Sequence, residues 1–300
     1  MHTFSRWMAL ATLVSGAAYA DKNDIQISRL GNPDVGEVGG SATANSDFQA
    51  FARTFGAAIT SANLMPPETL GHSGFNVNME LSVISLPSET VIPAEGGQPS
   101  AVLMPAFHVR KGLPFSIEVG GRVGWVERSR MLAATGEVKW AVNEGFTYLP
   151  DIGVRGHVTR LLGVRDFSLT AAGIDAGIGK QFPLGGMVTL TPYGGLDFTF
   201  VGADSNVIDF NPNRSFEDSL QDDSLMALED TGVYKRVSLT DNMNQRIYGG
   251  VRFIGGVLQL GAEISVTRLG SVALDPNNEN SETRALTSVF TFNTSLGLDF

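Results

Sequence analysis

From Gly74 to Phe300 apolar and polar side chains alternate with a period of two, and no other feature constrains the fold of this chain as tightly. Phe75, Val77, Met79, Leu81 and Val83 alternate with Asn76, Asn78, Glu80 and Ser82. The same habit runs through Leu103–Val109, Phe115–Trp125, Val138–Val142, Ile152–Val158, Val188–Phe200, Ile247–Phe253, Leu258–Val266 and Phe290–Phe300. The Gly/Ala-rich stretch from Phe167 to Lys180 is strand-like too, although its register is not fixed by the pattern. This gives about ten strands, each near the ~9–11 residues that a tilted membrane strand needs. Roughly eight to twelve strands are compatible with the pattern.

Alternation alone does not decide between a soluble barrel and a membrane barrel, because the two share the period and exchange faces. The connections favour the membrane. Those at 87–100, 202–240 and 269–284 are long and fall on one side, with 128–134 and 161–166. Those at 111–114, 182–186 and 254–256 are short and fall on the other, with 144–150. Short periplasmic turns and long external loops are the outer-membrane arrangement. Charges of both signs lie opposite the apolar set: Glu80, Arg110, Glu118, Arg122, Glu137, Lys139, Arg155, Asp197, Arg246, Arg252 and Glu263. Turned toward lipid at mid-depth, a charge would cost about 2–4 kcal/mol, so they are expected to line a lumen. Aromatics gather near strand ends: Phe115, Tyr148, Phe182, Phe253 and Phe300 by the short turns, Trp125, Phe198 and Phe200 by the long loops. Pro105 and Pro192 fall inside strands, where a missing N–H predicts local bulges.

Residues 1–20 are expected to be a secretory signal peptide. Arg6 precedes an apolar run from Met8 to Val14, and the stretch closes on Ala18-Tyr19-Ala20. Residues 21–46, rich in Gly, Ser, Ala and Asn, are expected to form a flexible lead-in. A helix is expected from Asp47 to Asn63, capped by Asp47 and stopped by Pro66-Pro67. Phe48, Phe51 and Phe55 share one face of it, making the unit 47–69 a candidate plug for the periplasmic mouth or an interfacial helix on the inner leaflet. The barrel itself is expected over 70–300.

The chain ends Leu296-Gly297-Leu298-Asp299-Phe300. Here it resembles Gram-negative outer-membrane β-barrel proteins, which end in an alternating amphipathic strand with a terminal Phe. Phe290, Phe292, Leu296, Leu298 and Phe300 match that pattern, and Thr294 departs from it. The resemblance implies an all-β antiparallel up-and-down transmembrane barrel in the cell outer membrane, in contact with its lipid and lipopolysaccharide. It also implies recognition of Phe300 by the barrel-assembly machinery. A helix placed before the barrel is similar in position to the hatch of the outer-membrane fatty-acid transporters, whose barrels are larger than this chain can build.

Motifs for chemistry are sparse. There is no Cys, so disulfides, thiolate metal sites and Cys nucleophiles are excluded. The formal charge of −10 argues against nucleic acid as a partner. No metal-ligand spacing, phosphate loop or G-x-S-x-G occurs. The acidic stretch Asp275–Glu282 lacks the Gly of a calcium loop. No cofactor, metal or catalytic residue is therefore expected, and the chain is not expected to be an enzyme. The acidic 202–240 connection is a candidate lid over the mouth or a divalent-cation surface.

Two functional readings stay open on the residues alone. The first is a channel or transporter for small or amphipathic solutes, lined by Glu80, Arg110, Glu118, Arg122, Arg155, Asp197, Arg246, Arg252 and Glu263. The second is a non-conducting structural or surface-interaction barrel, with the loops at 87–100, 202–240 and 269–284 as contact surface and those charges paired across a filled lumen. A lipid-modifying enzyme using His108 or His157 is a third, remoter reading.

Overall fold

A computed structural model describes residues 21–36, 39–185, 188–206, 208, 233–278 and 280–300. The expected signal peptide at 1–20 and most of the acidic connection, 209–232, lie outside the described residues. The strands are β1 (Phe75–Ser85), β2 (Ala101–Leu113), β3 (Ile117–Trp125), β4 (Leu132–Asn143), β5 (Asp151–Leu162), β6 (Phe167–Gly179), the short β7 (Phe182–Leu184), β8 (Val188–Ser205), β9 (Asn244–Gly255), β10 (Leu258–Arg268), β11 (Ser271–Ala273), β12 (Thr283–Ala285) and β13 (Val289–Asp299). Each long strand pairs antiparallel with its sequence neighbour. The circle closes where β1 meets β13 (Val77 opposite Leu298) and β6 meets β8 (Asp175 opposite Asp197). The result is a ten-strand barrel, with β7 extending one edge and β11–β12 forming a ribbon in a loop.

The faces fall as the alternation predicts. Met79 is 69% exposed and Trp140 53% on the outside, while Arg110 and Arg155 on the inside are each 1% exposed. Every barrel strand shows large apolar side chains outward. A closed barrel satisfies all its backbone polar groups internally, the condition for crossing hydrocarbon. With the apolar set outside and the charges inside, this chain is an outer-membrane-type transmembrane barrel.

The expected bulges at the two prolines are absent. The one register shift described lies between Ala141 and Asn143. Pro105 pairs with Leu81 on β1, but the β2–β3 ladder begins only at Ala106. Pro192 pairs with Val251 on β9, while the β6–β8 ladder ends at Tyr193. Pro105 thus has a ladder on one side only, whereas Pro192 keeps its register between the β6–β8 and β7–β8 pairings, its carbonyl accepting from Lys180 N at 3.2 Å.

The helix α1 spans Ala44–Ile59, earlier than expected, with Thr43 rather than Asp47 at its N-cap position. Asp47 sits in the first turn and pairs with Arg284 at 2.9 Å. α1 ends because Thr60 turns extended (ψ 132°), and the following carbonyls are taken by other partners, described below. It lies at the end with the long connections, not at the short-turn rim where a periplasmic plug was expected. Phe48 stacks on Tyr234 (centroids 4.8 Å), and Phe51 meets Phe55 and, edge-on, Phe167. Arg53 donates to the carbonyls of Leu269 and Ser271 in the β10–β13 connection. In this upper part the inward face turns apolar: Ile84, Val102, Met104, Ala133, Leu161, Leu169, Val201 and Val289 join α1 in one core.

The lead-in expected to be flexible is also packed there. Ile27 and Leu30 are buried, and Ile25 bridges to Ala94. Asp24 accepts hydrogen bonds from Arg130 N (2.8 Å), Arg130 Nε (3.1 Å) and Asp21 N (3.0 Å). Burial alone would raise its pKa. The hydrogen bonds from Arg130 and Asp21, with the Arg130 charge, outweigh that and hold the carboxyl below its ordinary value. The clasp is therefore fully formed above the ordinary carboxylate range and weakens as pH falls through the lowered value. Proteolysis of residues 21–36 is expected to accelerate as pH falls through that lowered value, with the barrel core still resistant.

Candidate functional site: the occupied lumen

The inward row of each strand presents its polar residues at mid-depth, and the barrel brings all nine predicted lumen residues together. Glu80, Arg110, Glu118, Arg122, Arg155, Asp197, Arg246, Arg252 and Glu263 are all buried. They are joined by Glu137 and Lys139, by Asp175, whose register the sequence left open, and by His108 and His157.

These groups pair between adjacent strands and between strands one further along the wall. His108 bridges Glu80 (Nδ1–Oε1 2.8 Å) and Glu137 (Nε2–Oε1 3.0 Å). Arg122 Nε reaches Glu80 Oε2 at 2.6 Å, and Arg110 Nε reaches Glu137 Oε1 at 2.7 Å. Arg155 joins Glu137 (2.8 Å) to Asp175. Asp197 is held by Arg246 and by His157 Nε2 at 3.3 Å, and Lys139 Nζ meets Glu118 at 3.1 Å. Glu137 sits at the centre of this web, touching Arg110, Arg155 and His108. Buried charge is tolerated when paired and hydrogen-bonded in this way.

Among the described residues His157, Asp175 and Asp197 place potential metal-ligand atoms within 4.8 Å of one another. Arg155 and Arg246 already bind the two carboxylates. The cluster therefore reads as part of the ion-pair web. Both ring nitrogens of His108 are likewise engaged by carboxylates.

A second occupant completes the site. After α1 the chain runs through the lumen without regular secondary structure, Leu64 taking a positive φ of 51°, and residues 60–67 are buried. The wall holds it chiefly by main-chain atoms. Arg246 donates to the carbonyl of Ser61 (2.8 Å), Arg155 to Ala62 (3.3 Å) and Arg110 to Asn63 (2.7 Å). Lys139 donates to Pro66 (3.3 Å) and Glu68 (2.9 Å). In the other direction Leu64 N donates to Glu263 (2.9 Å), Thr69 N to Glu144 (2.7 Å) and Leu70 N to Glu118 (3.2 Å). Glu68 adds one side-chain ion pair, to Arg252. A buried segment outside any helix or sheet must find partners for its N–H and C=O groups, and lumen charges supply several of them here.

Wall glycines make the room. A Cβ on Gly153 would lie 2.8 Å from the carbonyl oxygen of Pro67, and one on Gly179 would lie 2.8 Å from the Pro67 ring. Gly153→Leu is therefore expected to displace the segment around Pro67 while leaving the strand ladder intact. Protease cleavage within 60–70 of the detergent-solubilised protein would report it. Unchanged resistance would place the segment elsewhere.

No family model matches the chain, and no curated protein does. Solved structures do match. Neisserial surface protein A is 12% identical, with 75% of this chain and 95% of that one covered, at a TM-score of 0.27. The outer membrane protein OprG from Pseudomonas aeruginosa is 10% identical, with 78% and 99% covered, at 0.30. The translocator domain of the autotransporter NalP from Neisseria meningitidis is 9% identical, with 87% and 99% covered, at 0.38. Overlaps of this quality add nothing to the barrel that the strand ladder already displays.

Proposed function

We propose that this chain is a non-conducting, non-enzymatic barrel of the outer membrane that holds its own N-terminal segment in its lumen and offers its long-loop end as a contact surface. The observation that carries the reading is the occupied lumen: residues 60–70 fill it, and charges that would line a water-filled pore are spent on one another and on the segment's main chain. The channel reading needs a continuous aqueous path, and the lumenal segment together with the apolar core around Phe48, Phe51 and Phe55 stands across it.

Planar-bilayer recording of the purified full chain tests this. Silence at ordinary holding potentials is the expected result; stable stepwise conductance from the intact protein would return the barrel to the channel class.

The outward apolar belt is proposed to meet outer-membrane lipid and lipopolysaccharide. Phe300, 62% exposed at the short-turn rim and paired through its backbone with Phe75, is proposed to be the handle for the barrel-assembly machinery. Phe300→Ala is expected to lower the amount of folded barrel in the membrane without altering the stability of barrels that do assemble. Normal assembly would remove Phe300 from that role.

A further inference from the structure

The path of the chain fixes which end residues 21–59 occupy. Asn23 N donates to the carbonyl of Arg128, and Gln26 N to that of Pro93, both in long-side connections. Tyr234, in the longest connection, donates to the carbonyls of Ile27 and Gly31. At the opposite rim Gly74 N donates to the carbonyl of Gly71, and Phe75 starts β1. Among the described residues, 60–70 are the stretch that joins the two ends through the lumen, and the wall around them is closed. In barrels of this class the long connections face outward. The beginning of the described chain therefore lies outside, while its first strand begins at the periplasmic rim.

The grip on the segment has a chemistry of its own. From Thr60 to Pro67 the sequence carries no charge. Arg246, Arg155 and Arg110 read three successive carbonyls, and Glu263 reads the next N–H. Those acceptors and donors exist in every polypeptide. Charge-assisted bonds of this kind are the strong ones, and here they go to main-chain groups, with Asn63 to Tyr248 (3.3 Å) and Gln259 to Met65 (3.1 Å) as the side-chain contacts beside them.

We propose that the lumen is a passage for polypeptide without regular secondary structure, and that it delivers the chain's own N-terminal segment, residues 21–59, to the cell surface. This deepens the reading of an occupied lumen, since it depends on where residues 60–70 run. It does not depend on the barrel being closed to ions, so conductance and the experiment below fail separately.

The chain has no cysteine, so single cysteines can be read cleanly. In Gram-negative cells expressing the full chain, K22C, S88C and Q181C are treated with a membrane-impermeant maleimide; all three positions are exposed. Lys22 lies in the N-terminal segment, Ser88 in a long connection and Gln181 by a short turn. The expected result is that K22C and S88C label on intact cells about tenfold more than Q181C, which labels after permeabilisation. K22C protected while S88C labels would overturn the proposal, and so would Q181C labelling in place of S88C. In a second arm N63A/L64A/M65A is combined with K22C. Retained surface labelling supports a grip on the backbone. Loss of it, with S88C still labelled in the same triple variant, would show that side chains direct the passage and overturn that part.

Discussion

Deleting residues 21–69 is expected to turn a silent barrel into a conducting one. The deletion removes the segment between Ser61 and Leu70 and the helix above it, together with Phe48, Phe51 and Phe55. Water then takes over the hydrogen bonds that Arg246, Arg155 and Arg110 gave to carbonyls. Each such bond to a charged group contributes about 1.5–3 kcal/mol, so the truncated barrel should also be less stable. Its strand ladder does not include the deleted residues, and circular dichroism should still report sheet. Stepwise conductance in planar bilayers from the truncated, still folded protein is the expected readout. A folded truncation as silent as the parent would mean that the strand side chains alone close the lumen.

The second large effect is expected at Arg155. This guanidinium joins Glu137 to Asp175 and donates to the carbonyl of Ala62, linking two wall strands to the segment between them. Arg155→Ala leaves buried carboxylates short of a partner, a class of change that costs about 3–5 kcal/mol. Unfolding by urea in lipid vesicles should show the loss. Trp140→Ala, on the lipid face of β4, should cost much less, because its surroundings stay apolar. Equal losses at the two positions would contradict the assignment of inside and outside.

The barrel was legible because its signal repeats. Each strand states its two faces over many residues, and the closing strand from Phe290 to Phe300 states them once more. The inward charges were legible for the same reason. The lumenal segment was not, since most of its contacts are made by main-chain atoms and its side chains from Thr60 to Pro67 look like an ordinary linker. What signal there was lies in the uncharged run itself, placed before strands rich in Arg and Glu. The helix was foreseen from the Phe48, Phe51 and Phe55 spacing, but its end was not. Arg246, Arg155 and Arg110 claim the carbonyls of residues 61–63, and no local rule sees those partners. The end of the barrel it occupies was missed because the inward row changes from charged to apolar near the long connections. Ser82 gives way to Ile84, and His108 to Met104 and Val102. Asp175 joined the site late, since the small residues around it blur the period.

The most direct measurement is a spin-label scan of β1 from Asn76 to Val83 in lipid bilayers, read with oxygen as the apolar and a nickel chelate as the polar relaxant. The account predicts a period of two. Labels at positions 77, 79, 81 and 83 should meet oxygen, and labels at 76, 78, 80 and 82 should meet neither reagent, because the inside is filled. Nickel reaching the even positions would reveal an open aqueous lumen, and nickel reaching the odd ones would take the barrel out of the membrane.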